Sequence, residues 1–185
     1  MSTGKLIDLL SEYLSSWPQE ASTVSAYMTF VQSHDDCFER TLLVGHVTGS
    51  AWLVNAAGTH VLLTHHRKLN KWFQLGGHAD GHSDVLKVAL REAREESGIE
   101  SIDVVTPKLF DIDIHEIPAR KNEPAHLHYD ARFAFRVSGS ETFAVSEESH
   151  ALAWVKISEI DQHTIEASML RMADKWKQHK APLFM

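Results

Sequence analysis

Apolar residues recur at helical spacing in the first part of the chain. Leu6, Leu9, Leu10, Tyr13 and Leu14 fit one helix face, and Val24, Tyr27, Met28 and Val31 fit another. Trp17-Pro18 separates the two, because proline lacks a backbone donor and disfavours helix in the residue before it. The texture changes near residue 40. Thr41–Thr48, Ala51–Ala56 and His60–His66 are rich in Val, Leu, Thr and Trp, cut by Gly49-Ser50 and Ala57-Gly58-Thr59, which predicts strand, turn, strand. Gly76-Gly77 and Gly81 mark a loop. A helix is predicted over Asp84–Ser97, with Ser83 or Asp84 as N-cap and Gly98 as its stop. Strands are predicted at 102–115, 126–137 and 151–156, with a polar loop bracketed by Pro118 and Pro124, and a closing helix over Thr164–Gln178. There is no internal repeat and no low-complexity segment.

The helix at 84–98 carries a conflict. On a wheel, Val85, Leu86, Val88, Ala89, Leu90 and Ala93 form one apolar arc, with Lys87, Arg91 and Arg94 opposite. Glu92 and Glu96 fall inside the apolar arc and Glu95 at its edge. Like charges at i, i+4 disfavour a helix, and a partly buried ionised carboxylate needs a counter-charge or a metal. A divalent cation between the carboxylates resolves this, since oxygen-rich sets suit Mg²⁺ or Mn²⁺. A slightly rotated helix with all three glutamates in solvent would resolve it equally well on the wheel alone.

Composition narrows the classes. The 185 residues fit one domain with room for additions at the ends, and 43% hydrophobic with 23% charged residues is ordinary for a globular protein. A net charge of -7 argues against a nonspecific grip on nucleic acid or on an anionic membrane. No stretch has the length of a membrane span, and the first residues do not read as a signal peptide. The single cysteine, Cys37, forbids an internal disulfide, which fits a cytoplasmic setting.

Residues 77–99 resemble the catalytic box of the Nudix hydrolases, G-x5-E-x7-R-E-U-x-E-E-x-G-U, where U is a bulky aliphatic residue. Gly77, Arg91, Glu92, Glu95, Glu96, Gly98 and Ile99 fall in register. Ser83 stands where the first glutamate belongs, Ala93 is smaller than the usual aliphatic, and Leu75 replaces a frequent proline. The likeness extends over roughly residues 40–178. It implies an α/β sandwich of the Nudix type, a mixed sheet between helices, with residues 1–38 as an N-terminal helical extension and 39–185 as the domain.

The resemblance also implies a chemistry: metal-dependent hydrolysis of a diphosphate joined to a nucleoside and a second group. By position, Glu92, Glu95 and Glu96 become ligands of Mg²⁺ or Mn²⁺, with the Gly77 carbonyl as a further ligand. Arg91 braces the helix, Gly98 ends it, and Asp84 is a candidate to replace the missing first glutamate. Glu147 and Glu148 are candidates for the general base or an extra ligand, the alternative being ordinary loop acids. Substrate contacts are less specific. On the strand near 126–135, His126, His128, Asp130 and Arg132 share one face, which suits either diphosphate oxygens or plain solvent. Arg67, Lys68 and His78 flank the box loop and are phosphate-contact candidates, as are Arg120 and Lys121 in the polar loop. Trp72 or Phe73 is placed to stack on a base or to fill the core.

The chain has 13 histidines. His65-His66, His78, His82 and His126-x-His128 raise the question of zinc, but they lack a cysteine partner and an H-E-x-x-H pair. The bland reading is that most are surface or hydrogen-bonded residues. Two other functions stay open. One is a Nudix-like domain that senses a nucleotide without cleaving it. The other is an enzyme like isopentenyl-diphosphate isomerase, disfavoured because Cys37 lies upstream of the sheet. The expected partner is a small diphosphate compound. No nucleic acid or membrane partner is expected, and a homodimer through the N-terminal helices is left open.

Overall fold

The computed structural model describes residues 3–66, 71–119, 124–144 and 149–180. Helices α1 (Gly4–Ser16) and α2 (Ala21–Ser33) are joined by a 3-10 turn at Pro18–Glu20, where the sequence placed its break. Eight strands follow: β1 (Gly45–Val54), β2 (His60–His66), β3 (Lys71–Phe73), β4 (Leu75–His78), β5 (Ile102–Val104), β6 (Asp111–Ile117), β7 (His126–Val137) and β8 (Ser149–Lys156). Helix α3 (Val85–Ser97) lies between β4 and β5. A 3-10 segment at Ile157–Gln162 leads to α4 (Ala167–Lys180).

All eight strands form one mixed sheet. β1 is its axis: it runs parallel to β7 over its full length and antiparallel to β4. β6 and β5 pair antiparallel with β7, while β3 and β8 pair with β2. One face is covered by α1, α2 and α3, where Leu6, Leu10, Tyr27 and Val88 pack with Val47, Ala51, Leu53 and Phe133. The other face is covered at one end by α4, where Met169, Met172 and Trp176 meet Trp52, Val54 and Leu63. The expected α/β sandwich is therefore the observed one. The N-terminal helices share the core of the first face, and Tyr27 donates its hydroxyl to the Tyr129 carbonyl at 2.7 Å.

Several expected boundaries move. Thr41–Thr48 and Ala51–Ala56 are not two strands divided at Gly49-Ser50. A single strand, β1, runs through both glycine and serine, buried at all ten positions. Gly49 is there because α3 crosses the strand at that point: a Cβ would lie 3.0 Å from the Val85 carbonyl oxygen and 3.0 Å from Val88. Gly76-Gly77 lie in β4 rather than in a loop. The strand expected at 102–115 is two separate ones, and the last helix starts three residues later than Thr164.

Candidate active site and the polar face of the sheet

Local sequence fixes α3. Gly98 takes a left-handed conformation (φ 69°) and its N–H closes on the Arg94 carbonyl, ending the helix where the sequence placed the stop. Val85, Val88, Ala89 and Ala93 are buried against the sheet. That orientation aims Glu92 and Glu96 at β4, and both are half-buried, so the wheel's rotated, fully solvated alternative is not the one adopted. Glu96 Oε1 accepts the Gly76 N–H at 2.7 Å. Glu92 lies so close to Gly77 that a Cβ there would fall 2.4 Å from Glu92 Oε2. Glu95 sits apart from these two, 63% exposed, with Arg91 Nε at 3.8 Å.

Arg91 links these parts. Its Nη2 donates to Glu92 Oε1 at 2.6 Å and to the His78 carbonyl at 3.0 Å, tying α3 to the end of β4. Burial pushes the Glu92 carboxyl up; Arg91 pulls it down, and Glu95 and Asp80 add to the rise. A carboxylate held there against its own desolvation, beside a second carboxylate and a backbone carbonyl strand, is a hard-oxygen donor set that fits a divalent cation.

Asp84 does not replace the missing box glutamate at Arg91. Its Oδ2 goes to Lys5 (3.0 Å) and Lys87 (3.6 Å), so it holds the start of α3 to α1. The acid that sequence reasoning missed is Asp80, at positive φ, which pairs with Arg40 and stands in the field of Arg91. Only its place after His78 and before Gly81, in a tight loop, could have drawn attention to it.

The polar face of β7 is not a solvent surface. Arg132 is 2% exposed and fully engaged: Nε with Asp130 (2.7 Å), Nη1 with Asp111 (3.1 Å) and Nη2 with Asp113 (3.1 Å). Three carboxylates satisfy its fork, so it is a buried structural cation and not a diphosphate contact. Asp130 also accepts from Thr48 and Ser50 of β1. Arg171 and Lys175 of α4 reach Asp111, at 2.8 Å and 2.6 Å, and Lys175 also reaches Glu20 and Tyr13 beside α1.

At the other end of this face, His46, His78, His115, His126 and His128 come together from four adjacent strands. His128 was expected at the substrate. Its Nε2 is buried without a hydrogen-bond partner, among the rings of His46, His78, His115 and His126. His78 lies at the junction of this cluster with the box loop. His65 instead packs against Trp72 in a tilted arrangement, with ring centres 5.0 Å apart. Arg67, Lys68, Arg120, Lys121, Glu147 and Glu148 lie outside the described residues.

The family model of the NUDIX domain matches residues 45–176, and the chain belongs to that family of Nudix pyrophosphohydrolases. Solved structures share the fold. A NUDIX-family hydrolase from Clostridium perfringens superposes with a TM-score of 0.55 at 24% identity, over 72% of this chain and 97% of that one. The MutT protein from Methanosarcina mazei Go1 gives 0.54 at 19% identity, over 74% and 96%. An Ap4A hydrolase from C. elegans gives 0.54 at 18% identity, over 74% and 98%. No match was found among curated protein sequences. Among the described residues, no helix is long and apolar enough to cross a membrane.

Proposed function

We propose that this chain hydrolyses the diphosphate bond of a nucleoside diphosphate linked to a second group, with Mg²⁺ or Mn²⁺ held by Glu92 and Glu96 and assisted by Glu95 and the Gly77 carbonyl. The observation that carries this reading is the convergence of Glu92 and Glu96 on Gly76-Gly77, with Arg91 clamped to both the helix and the strand. When bound, such a cation would offset charge on the diphosphate oxygens and make water a better nucleophile. Arg91 opposes the rise that burial imposes on the Glu92 carboxyl and fixes α3 against β4. Glu147 or Glu148 is proposed as the general base, and Arg67 and Lys68 as phosphate contacts.

The test is phosphate release from a panel of diphosphate compounds, with a phosphatase added to reveal monoester products. The panel holds ADP-ribose, nucleotide sugars, NADH, coenzyme A, dinucleoside polyphosphates and nucleoside triphosphates. Turnover of a panel member that stops on chelation and returns with Mg²⁺ or Mn²⁺ is the expected result. Tight binding of a panel member with no turnover under either ion would replace this reading with a nucleotide sensor.

A further inference from the structure

We propose that His46, His78 and His128 form a second metal site, which takes a borderline transition-metal ion such as Zn²⁺ and is separate from the carboxylate site on α3. The strand pairing builds it. In the parallel register of β1 and β7, His46 stands directly opposite His128, and β4 brings His78 beside β1 opposite Thr48. All three side chains project from the same face of the sheet, away from α3. One ring nitrogen from each lies within 4.8 Å of the other two. A tetrahedral ion with metal–nitrogen bonds of about 2.0–2.1 Å needs ligands roughly 3.3 Å apart, so small ring rotations close the site.

Two of the three rings are otherwise costly where they are. His46 is 1% exposed, and neither of its ring nitrogens has a hydrogen-bond partner. The Leu42 carbonyl is close enough to favour the protonated ring slightly, but no bond of normal geometry forms. His128 Nε2 is buried and unpartnered as well. Buried polar nitrogens are nearly always satisfied, so two orphaned rings facing a third call for a ligand.

Three imidazole rings whose nitrogens converge, each with a lone pair in its neutral form, are a donor set for a metal cation. An all-nitrogen set suits zinc and its transition-metal neighbours better than Mg²⁺, which prefers oxygen. The flanking rings are already oriented: His126 Nδ1 pairs with the Pro124 carbonyl at 2.9 Å, and His115 Nδ1 lies 3.3 Å from Asp113. Three protein ligands leave one position for a non-protein ligand. His78 directly follows Gly77, so an occupied site would stiffen the end of β4 on which Glu92 and Glu96 converge.

The metal alone is the probe. The chelator-stripped chain is titrated with Co²⁺, followed by its visible absorption, and then challenged with Zn²⁺. The expected result is one equivalent of Co²⁺ with the intense band of a low-coordinate nitrogen site, displaced by one equivalent of Zn²⁺. His128→Gln and the half-buried His78→Ala should each weaken Zn²⁺ binding at least about a hundredfold, while the Glu92→Gln/Glu96→Gln double variant keeps the band. Absence of the band in the folded wild type would overturn the proposal, as would its survival in both histidine variants or its loss in the glutamate pair. None of these readouts depends on turnover, so this site and the proposed hydrolysis fail or stand separately.

Discussion

Gly77 has no room for a side chain on the α3 side, and what occupies that room is the Glu92 carboxylate. A methyl group there displaces the flexible end of a glutamate rather than backbone. Gly77→Ala is therefore expected to leave stability within about 1 kcal/mol of wild type. It should lower kcat about tenfold or more by moving Glu92 off its position. Equal kcat in a folded variant would mean that this contact has no part in turnover. Sequence was informative at this scale wherever a residue's role is set by its spacing along one helix: Arg91, Glu92, Glu96 and Gly98 lie where the box places them. It was uninformative where a role depends on what faces the residue. Arg132 looked like a substrate contact because nothing in the sequence announces that Asp111 and Asp113, on β6, will lie opposite it.

The cleanest element-scale lesson is Gly49. A glycine followed by serine between two apolar runs resembles a turn, but here it is a crossing point where α3 touches β1. Along the first half of β1, His46, Thr48 and Ser50 alternate with Val47, Gly49 and Ala51, but both faces are buried, so the alternation marks no solvent side. The packing predicts that Gly49→Ala destabilises the protein by about 1–3 kcal/mol, the usual range for overpacking a core. Urea unfolding checks this, and a change below about 0.5 kcal/mol would show that α3 has slack against the sheet. The same crossing sets the height of α3 over β4, so some loss of turnover should accompany the loss of stability.

Over the whole molecule, a buried charge network joins parts that the sequence separates. Arg132, Arg171 and Lys175 face Asp111, Asp113, Asp130 and Glu20, linking the sheet, α4 and the turn after α1. Arg132→Met would leave Asp130, Asp111 and Asp113 short of their shared cation. Removing one partner of a buried pair typically costs about 3–5 kcal/mol, and denaturant unfolding should show a loss of that order. A loss under about 1 kcal/mol would mean that Arg171 and Lys175 suffice.

The network also predicts a pH dependence. Burial alone would raise the Asp111 and Asp113 carboxyls. Arg171, Arg132 and Lys175 around the first, and His115, Arg132 and Arg171 around the second, hold both below the usual range. Carboxyls held low in the fold contribute stability above the unfolded value, near 4, and lose it as pH falls through the folded one. The melting temperature should therefore drop steeply below about pH 4, and part of that drop should be missing in Asp113→Asn. An unchanged slope in that variant would remove Asp113 from the account.

The central claim is that Glu92 and Glu96, gathered on β4 by α3, hold the cation that drives diphosphate hydrolysis. Its most direct test is kcat for Glu96→Gln against wild type, on whichever panel compound is turned over, at saturating Mg²⁺. Circular dichroism and melting curves would confirm that both are folded. The account predicts a fall of about two to three orders of magnitude, the range lost when one charge-stabilising group is removed from a preorganised site. A folded Glu96→Gln variant with wild-type turnover and unchanged Mg²⁺ dependence would contradict it.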